Sequence, residues 1–253
     1  MKQLVTLLLL AMILLVMGCT RQVTEPQEQA ETVSESPGTD ASLAPGAQAQ
    51  TVVAEAKSAE WVANRLLEIS NHYFEQLEEA QTYDLPYEDF RKNLRSHMTD
   101  HFMDLEQLEE FYKVRTGLTA MYLFYYEPGA LEARTKILEQ TSDRIVVQNM
   151  GFANELNSGY YEISTLINSE GKWLLDERQR EEIPTEGFQL SIEEATTYMK
   201  QFPRFENPVT SVQYVGTKTM ENTPGEFGRF YQFDCEGTTY YISPVDGYVM
   251  KAI

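Results

Sequence analysis

At 253 residues the chain has room for one large domain or two small ones. It carries 20 Lys and Arg against 39 Asp and Glu, a formal net charge of −19. That balance argues against nucleic acid as a partner, and against anionic lipid bound through a basic patch.

The chain opens with one basic residue, Lys2, and an apolar run from Leu4 to Met17 broken only by Thr6, closing on Gly18-Cys19. About fourteen residues rise roughly 21 Å as a helix, short of a hydrocarbon core of about 30 Å. The run is therefore read as the apolar segment of an export signal over residues 1–18. Val16-Met17-Gly18-Cys19 resembles the lipobox of bacterial lipoproteins, with Met17 where a smaller residue is usual. The resemblance implies cleavage between Gly18 and Cys19, a diacylglycerol on the Cys19 thiol and often an acyl chain, such as palmitate, on its new amine. Each buried methylene contributes about 0.8 kcal/mol, so two or three chains would hold the protein to its membrane. Thr20 stands where an aspartate would resemble an inner-membrane retention signal, and the mature chain is expected at the outward, extracytoplasmic face. With Cys19 lipidated, Cys235 is alone and no intramolecular disulfide is expected.

From Thr20 to Gln50 the chain is rich in Gln, Glu, Ser, Thr, Ala and Pro and has no aromatic residue. It cannot bury enough surface to offset the entropy of ordering, so residues 19–50 read as a tether reaching about 30 Å root-mean-square.

Folded sequence begins near Thr51. Val62, Leu66, Ile69, Tyr73 and Leu77 mark one face of a helix. A second helix is expected from around Asp84-Leu85-Pro86, burying Phe90, Leu94, Met98 and Phe102. Asp104 with Gln107 forms a capping box for a third, through Leu108 and Phe111. Residues Thr119–Tyr126 suit helix or strand equally, and Glu127-Pro128-Gly129 is expected to stop either. Strands are expected over Ala133–Gln140, Arg144–Phe152, Tyr160–Asn168 and Trp173–Arg180, with Tyr161, Ile163, Thr165 and Ile167 on one face. Helices followed by an antiparallel meander make an α+β arrangement. This order, with the closing arm Gly171-Lys172-Trp173-Leu174-Leu175-Asp176-Glu177-Arg178, resembles the NTF2-like (SnoaL-like) cone, in which a curved sheet wraps a long helix and leaves a pocket. The resemblance places such a domain over residues 51–187.

A second unit is expected over residues 188–253. Ser191 and Glu194 form a capping box, and Ile192, Ala195, Tyr198 and Met199 make an amphipathic helix ending near Phe202-Pro203. Strands follow at about Val209–Met220, Phe227–Cys235, Thr238–Ile242 and Tyr248–Ala252, turning at Glu236-Gly237 and Asp246-Gly247. The opening Ser191-Ile192-Glu193-Glu194-Ala195 and the close from Tyr240-Tyr241 to Asp246-Gly247-Tyr248-Val249 resemble the PepSY family, with a shorter final turn lacking its threonine. PepSY modules resemble the inhibitory propeptide regions of secreted metallopeptidases.

His97 and His101, four apart on the expected second helix with Asp100 and Asp104 nearby, have the spacing of a zinc pair. No Glu follows His97, so a built-in base is missing. Histidines at the edge of a core helix account for the pair, and neither a metal nor a cofactor is expected. His72 has no visible partner in the sequence. Tyr122, Tyr125, Tyr161 and Asp176 are the acid–base candidates that a cone enzyme would offer. Nothing fixes two of them at a working distance, and no catalytic residue is assigned. Cys235, on the alternating face of Tyr231 and Phe233, reads as a small buried apolar residue. Clustered tyrosines (Tyr122, Tyr125, Tyr126; Tyr160, Tyr161; Tyr240, Tyr241) suit core packing first and a binding surface second. The expectation is a non-enzymatic surface lipoprotein, held through Cys19, binding an extracytoplasmic protease or a membrane sensor. The alternative is a small-molecule binder or SnoaL-like enzyme using the cone.

Overall fold

The computed structural model describes residues 56–113, 125–202, 209–223 and 226–252, all within the unit Thr51–Ile253. The export signal, Gly18, Cys19, the tether and Tyr122 lie outside the described residues. No described helix is long and apolar enough to cross a membrane.

Helix α1 spans Ala59–Tyr83 and starts where the Ser58 hydroxyl accepts from the Trp61 N–H at 3.1 Å. All five apolar positions of the expected stripe are buried. The second helix is shorter than its spacing implied. Helix α2 covers Tyr87–Leu94 behind Pro86, and the chain then turns through Ser96 and His97 before α3, Asp100–Leu105, capped by Thr99. Backbone competition makes the break: Leu175 donates to the His97 carbonyl at 2.9 Å, and Thr99 donates to the Leu175 carbonyl at 3.0 Å. Phe90, Leu94, Met98 and Phe102 are still all fully buried, because the turn keeps them on one side. The Asp104–Gln107 capping box does not form. Asp104 lies inside α3 paired to Arg91 at 2.7 Å, and α4, Leu108–Lys113, begins after Gln107 in the left-handed region at φ 51°. Its buried positions are Leu108 and Tyr112, while Phe111 is half-buried.

Glu127-Pro128-Gly129 also opens a short helix α5, Pro128–Ala133, with proline in the first turn where its missing N–H costs nothing. Strands β1 (Thr135–Gln140), β2 (Arg144–Gly151), β3 (Tyr160–Ser169) and β4 (Lys172–Glu182) then form an antiparallel meander in chain order. The tight turn between β3 and β4 uses Glu170 and Gly171, both at positive φ. Helix α6, Ile192–Lys200, carries the capping box complete in both directions. It leads into a second antiparallel meander: β5 (Val212–Thr223), β6 (Glu226–Cys235), β7 (Thr238–Ile242) and β8 (Val249–Lys251). The fold is α+β, with two four-stranded antiparallel sheets and a few helices.

Two buried clusters hold it. In the first, the stripe of α1 meets Ile145, Val147, Leu166 and Leu175 of the first sheet, with Phe90, Phe102 and Tyr112 closing the end. In the second, Ala195, Tyr198 and Met199 of α6 meet Phe233, Cys235, Ile242 and Val249, together with Met150 of β2 and Phe152 just past it. Gly129 lets α5 press against α6: a Cβ there would lie 3.0 Å from the Tyr198 carbonyl. Arg134, just past α5, donates through Nε and Nη2 to the Glu194 carboxylate at 2.6 and 2.5 Å, and through Nη1 to the Phe188 carbonyl at 2.9 Å.

The expected apolar face of β3 is not the one turned to α1. Pairing places Ile145 opposite Leu166, Val147 opposite Ser164 and Asn149 opposite Glu162, so Glu162, Ser164 and Leu166 share the inner face. Tyr161, on the other face, packs edge-on against Phe188 at 5.2 Å.

Candidate functional site

Several polar side chains inside the first sheet are bound to one another, while Asn149 Oδ1 and Glu162 Oε1 are buried with no hydrogen-bond partner among the described residues. The Tyr126 hydroxyl shares a hydrogen bond with Ser164 at 2.9 Å, entirely buried. Arg178 donates to both carboxylate oxygens of Glu106 at 3.3 Å and faces Glu162 at 3.7 Å. Burial pushes the Glu162 carboxyl above the usual carboxylate range, with Arg178 and Arg180 opposing. Burial likewise lifts the Tyr126 phenol well above its ordinary value.

A second constellation lies on the solvent side of α1. Here Asn64, Leu67, Glu68, Asn71, His72 and Glu75 line an open depression of about 480 Å³ with His97 from the α2–α3 turn. Residues 64, 68, 71 and 75 follow the helical repeat and are exposed. The imidazoles of His72 and His97 stack at 3.9 Å between centroids and 22° between planes. His72 Nε2 donates to the Asn93 carbonyl at 3.1 Å. His97 Nδ1 meets the Ser96 hydroxyl at 2.8 Å, and its Nε2 faces Glu68 at 3.5 Å. Burial, with the neighbouring His72 and Arg65, lowers His97 to about 4. It is therefore neutral near pH 7. Arg65 bridges the site: it donates to the Trp173 carbonyl at 2.8 Å and pairs with Glu68 at 2.8 Å. That pairing holds the Glu68 carboxyl below its ordinary range.

The expected His97–His101 pair is not assembled. The break between α2 and α3 sends His97 to His72 and Glu68, while His101 faces Glu177 of β4 at 3.7 Å. Asp100 pairs with Arg91 at 3.0 Å and with Arg95 at 3.1 Å. Of the acid–base candidates, Tyr125 packs edge-on to Phe74 at 6.2 Å and Tyr161 lies against Phe188. Asp176 accepts from the Thr99 hydroxyl at 2.7 Å. The described three are in separate surroundings. Cys235 is buried, and burial raises its thiol to about 11.

The sequence reading left His72 without a partner and passed over Glu68, Asn64, Asn71 and Glu75. Their spacing along the polar side of α1 was visible, but nothing local announced that the turn at His97 would fold onto it. Comparison of the chain with known protein families, with curated proteins and with solved structures finds no match.

Proposed function

We propose that the chain is a lipid-anchored extracytoplasmic protein whose body binds a protein partner through the groove on α1. The lipobox-like residues ending at Cys19 and the tether behind them support the location. An NTF2-like unit over residues 51–187 and a PepSY-like unit over 188–253 are the family reading that the order of elements supports.

One observation carries the choice of surface over interior. Tyr126, Ser164, Arg178 and Glu106 spend their hydrogen-bonding capacity on each other beneath α1. Asn64, Asn71 and Glu75, with Glu68 held beside them by Arg65, are instead exposed around a depression of about 480 Å³, within the size range of binding sites. Two carboxylates and two carboxamides beside a neutral imidazole fit an extended segment bearing Lys or Arg. The net charge of −19 draws such a segment from a distance. An extracytoplasmic protease or the outward part of a membrane sensor fits the location.

The test uses full-length protein in its host membrane with a photo-crosslinking residue at Asn71 or, as a control, at Lys136. One discrete protein adduct at position 71, weakened at least tenfold by Glu68→Gln with Glu75→Gln, is expected. Equal adducts at both positions, or none, would sink the reading. Cys19→Ser should release the protein from the membrane fraction.

A second reading, a small ligand held inside the first sheet, is favoured by Glu162, whose Oε1 is buried with no hydrogen-bond partner among the described residues. Native mass spectrometry of protein taken gently from its host decides it: a small co-purifying mass, lost in Glu162→Gln, would replace the groove reading.

A further inference from the structure

We infer that His101, Asp176 and Glu177 form a binding site for a divalent transition-metal ion. One ligand atom from each, an imidazole nitrogen and two carboxylate oxygens, lies within 4.8 Å of the other two. The His101 Nε2–Glu177 Oε1 separation is 3.7 Å. Three ligands about 2.0–2.2 Å from a shared zinc ion stand roughly 3.4 Å from one another, so small side-chain rotations close the set.

The fold prepares this convergence in two ways. Consecutive residues of a regular strand point to opposite faces, which would separate Asp176 from Glu177. Here Thr165 pairs with Glu177 and Leu166 with Leu175, leaving Asp176 as the extra residue of a bulge in β4. The bulge brings both carboxylates to one place, a common use of the feature. Thr99 then sets both halves. Its hydroxyl donates to Asp176 Oδ1 at 2.7 Å and accepts from the Phe102 N–H at 3.0 Å, which fixes the first turn of α3 and so places His101. Outer contacts that orient ligands in this way are typical of metal sites.

An ordinary surface ion pair needs only His101 and Glu177. It explains neither the bulge nor the tethering of Asp176. An imidazole with two carboxylates suits Zn²⁺ or Mn²⁺ better than Ca²⁺, which takes six to eight oxygens. Three protein ligands leave one or more positions for water or for a donor from a bound molecule. Glu177 also borders a depression of about 320 Å³ with Leu105, Arg144, Val146, Ile163 and Thr165, so a bound ion would stand at its rim. This site is separate from the groove on α1 and does not depend on the function proposed there.

The test is titration of the full chain with Zn²⁺, followed by calorimetry, with circular dichroism as the check on folding. One ion per chain is expected, with affinity falling at least tenfold in His101→Ala and in Asp176→Asn and unchanged in Glu170→Gln, in the β3–β4 turn. Loss in Glu170→Gln alone, equal binding in all four proteins, or no binding by the unaltered chain would overturn the assignment. A measurement without variants guards against misfolding. Zn²⁺ should protect His101, and not His72, from diethylpyrocarbonate, as read by mass spectrometry. Identical labelling of His101 with and without zinc would likewise overturn the assignment.

Discussion

His72 of α1 and His97 of the α2–α3 turn stack at 3.9 Å, with Glu68 beyond His97 on the same helix. The stack exists because β4 captures the backbone on either side of Met98, forming the bridge Met98–Leu175 that swings His97 onto α1. A strand that ends a helix thereby creates a polar surface site.

That site has a pH signature. His97 stays neutral in the fold down to about pH 4 but protonates near 6.5 when unfolded, so the unfolded chain binds more protons between those values. The contribution of His97 is complete above about pH 6.5 and is lost progressively as pH falls toward 4. Melting temperature measured from pH 7 to 4.5 should therefore drop more steeply for the unaltered chain than for His97→Gln. Parallel curves would show that His97 is not held neutral by the fold.

Removing Arg178 should be among the most damaging single changes. Its side chain is 7% exposed and faces Glu162, itself 3% exposed. Arg178→Met leaves Glu106 and Glu162 without their shared cation, a loss of about 3–5 kcal/mol for a broken buried pair. Tyr126→Phe, which takes away one buried hydrogen bond to Ser164, should cost only about 1–2 kcal/mol. Urea unfolding of the two variants compares the costs, and a reversed order would contradict the burial assigned to the network.

Arg134 should matter through its geometry as well as its charge. A lysine cannot make the paired donation to Glu194 while also reaching Phe188. Arg134→Lys is expected to lose most of what Arg134→Ala loses, about 1–2 kcal/mol for this partly exposed contact. Full rescue by lysine would reduce the contact to simple charge attraction.

Gly247→Ala should be poorly tolerated for two independent reasons. Gly247 sits at φ +78°, and an added Cβ would lie 2.5 Å from the Phe152 ring. Left-handed strain and overlap together should cost about 2–4 kcal/mol, read as a lower urea midpoint.

The thiol of Cys235 gives a chemical check on the second core. At pH 8 a group raised to about 11 is thiolate in about one molecule in a thousand. Alkylation by iodoacetamide in buffer should be at least 100-fold slower than in urea. Comparable rates would place Cys235 at the surface.

Short-range signals settled much of this protein from sequence alone. The stripe from Val62 to Leu77 appears as a buried helix face, because apolar spacing and backbone repeat agree over about four turns. Ser191 and Glu194 announce α6, since a capping box is complete within four residues. Glu170-Gly171 and Glu236-Gly237 mark hairpins because the turn itself demands positive φ. What the tertiary structure decided came wherever a distant partner outbid a local preference. Leu175 ended α2 and dissolved the apparent His97–His101 pair, whose spacing of four carried meaning only while the helix continued. Glu162 and Ser164 took the inner face of β3, although alternation favoured Ile163 and Ile167, where Tyr126 bonds Ser164 and the Arg178 guanidinium faces Glu162. Asp176 and Glu177, adjacent in sequence and nominally opposed, met at His101 through a bulge that the pairing of β3 with β4 imposed. Hydrophobic period and turn chemistry are written in neighbouring residues, whereas polar sites are assembled from side chains whose partners lie a whole sheet away.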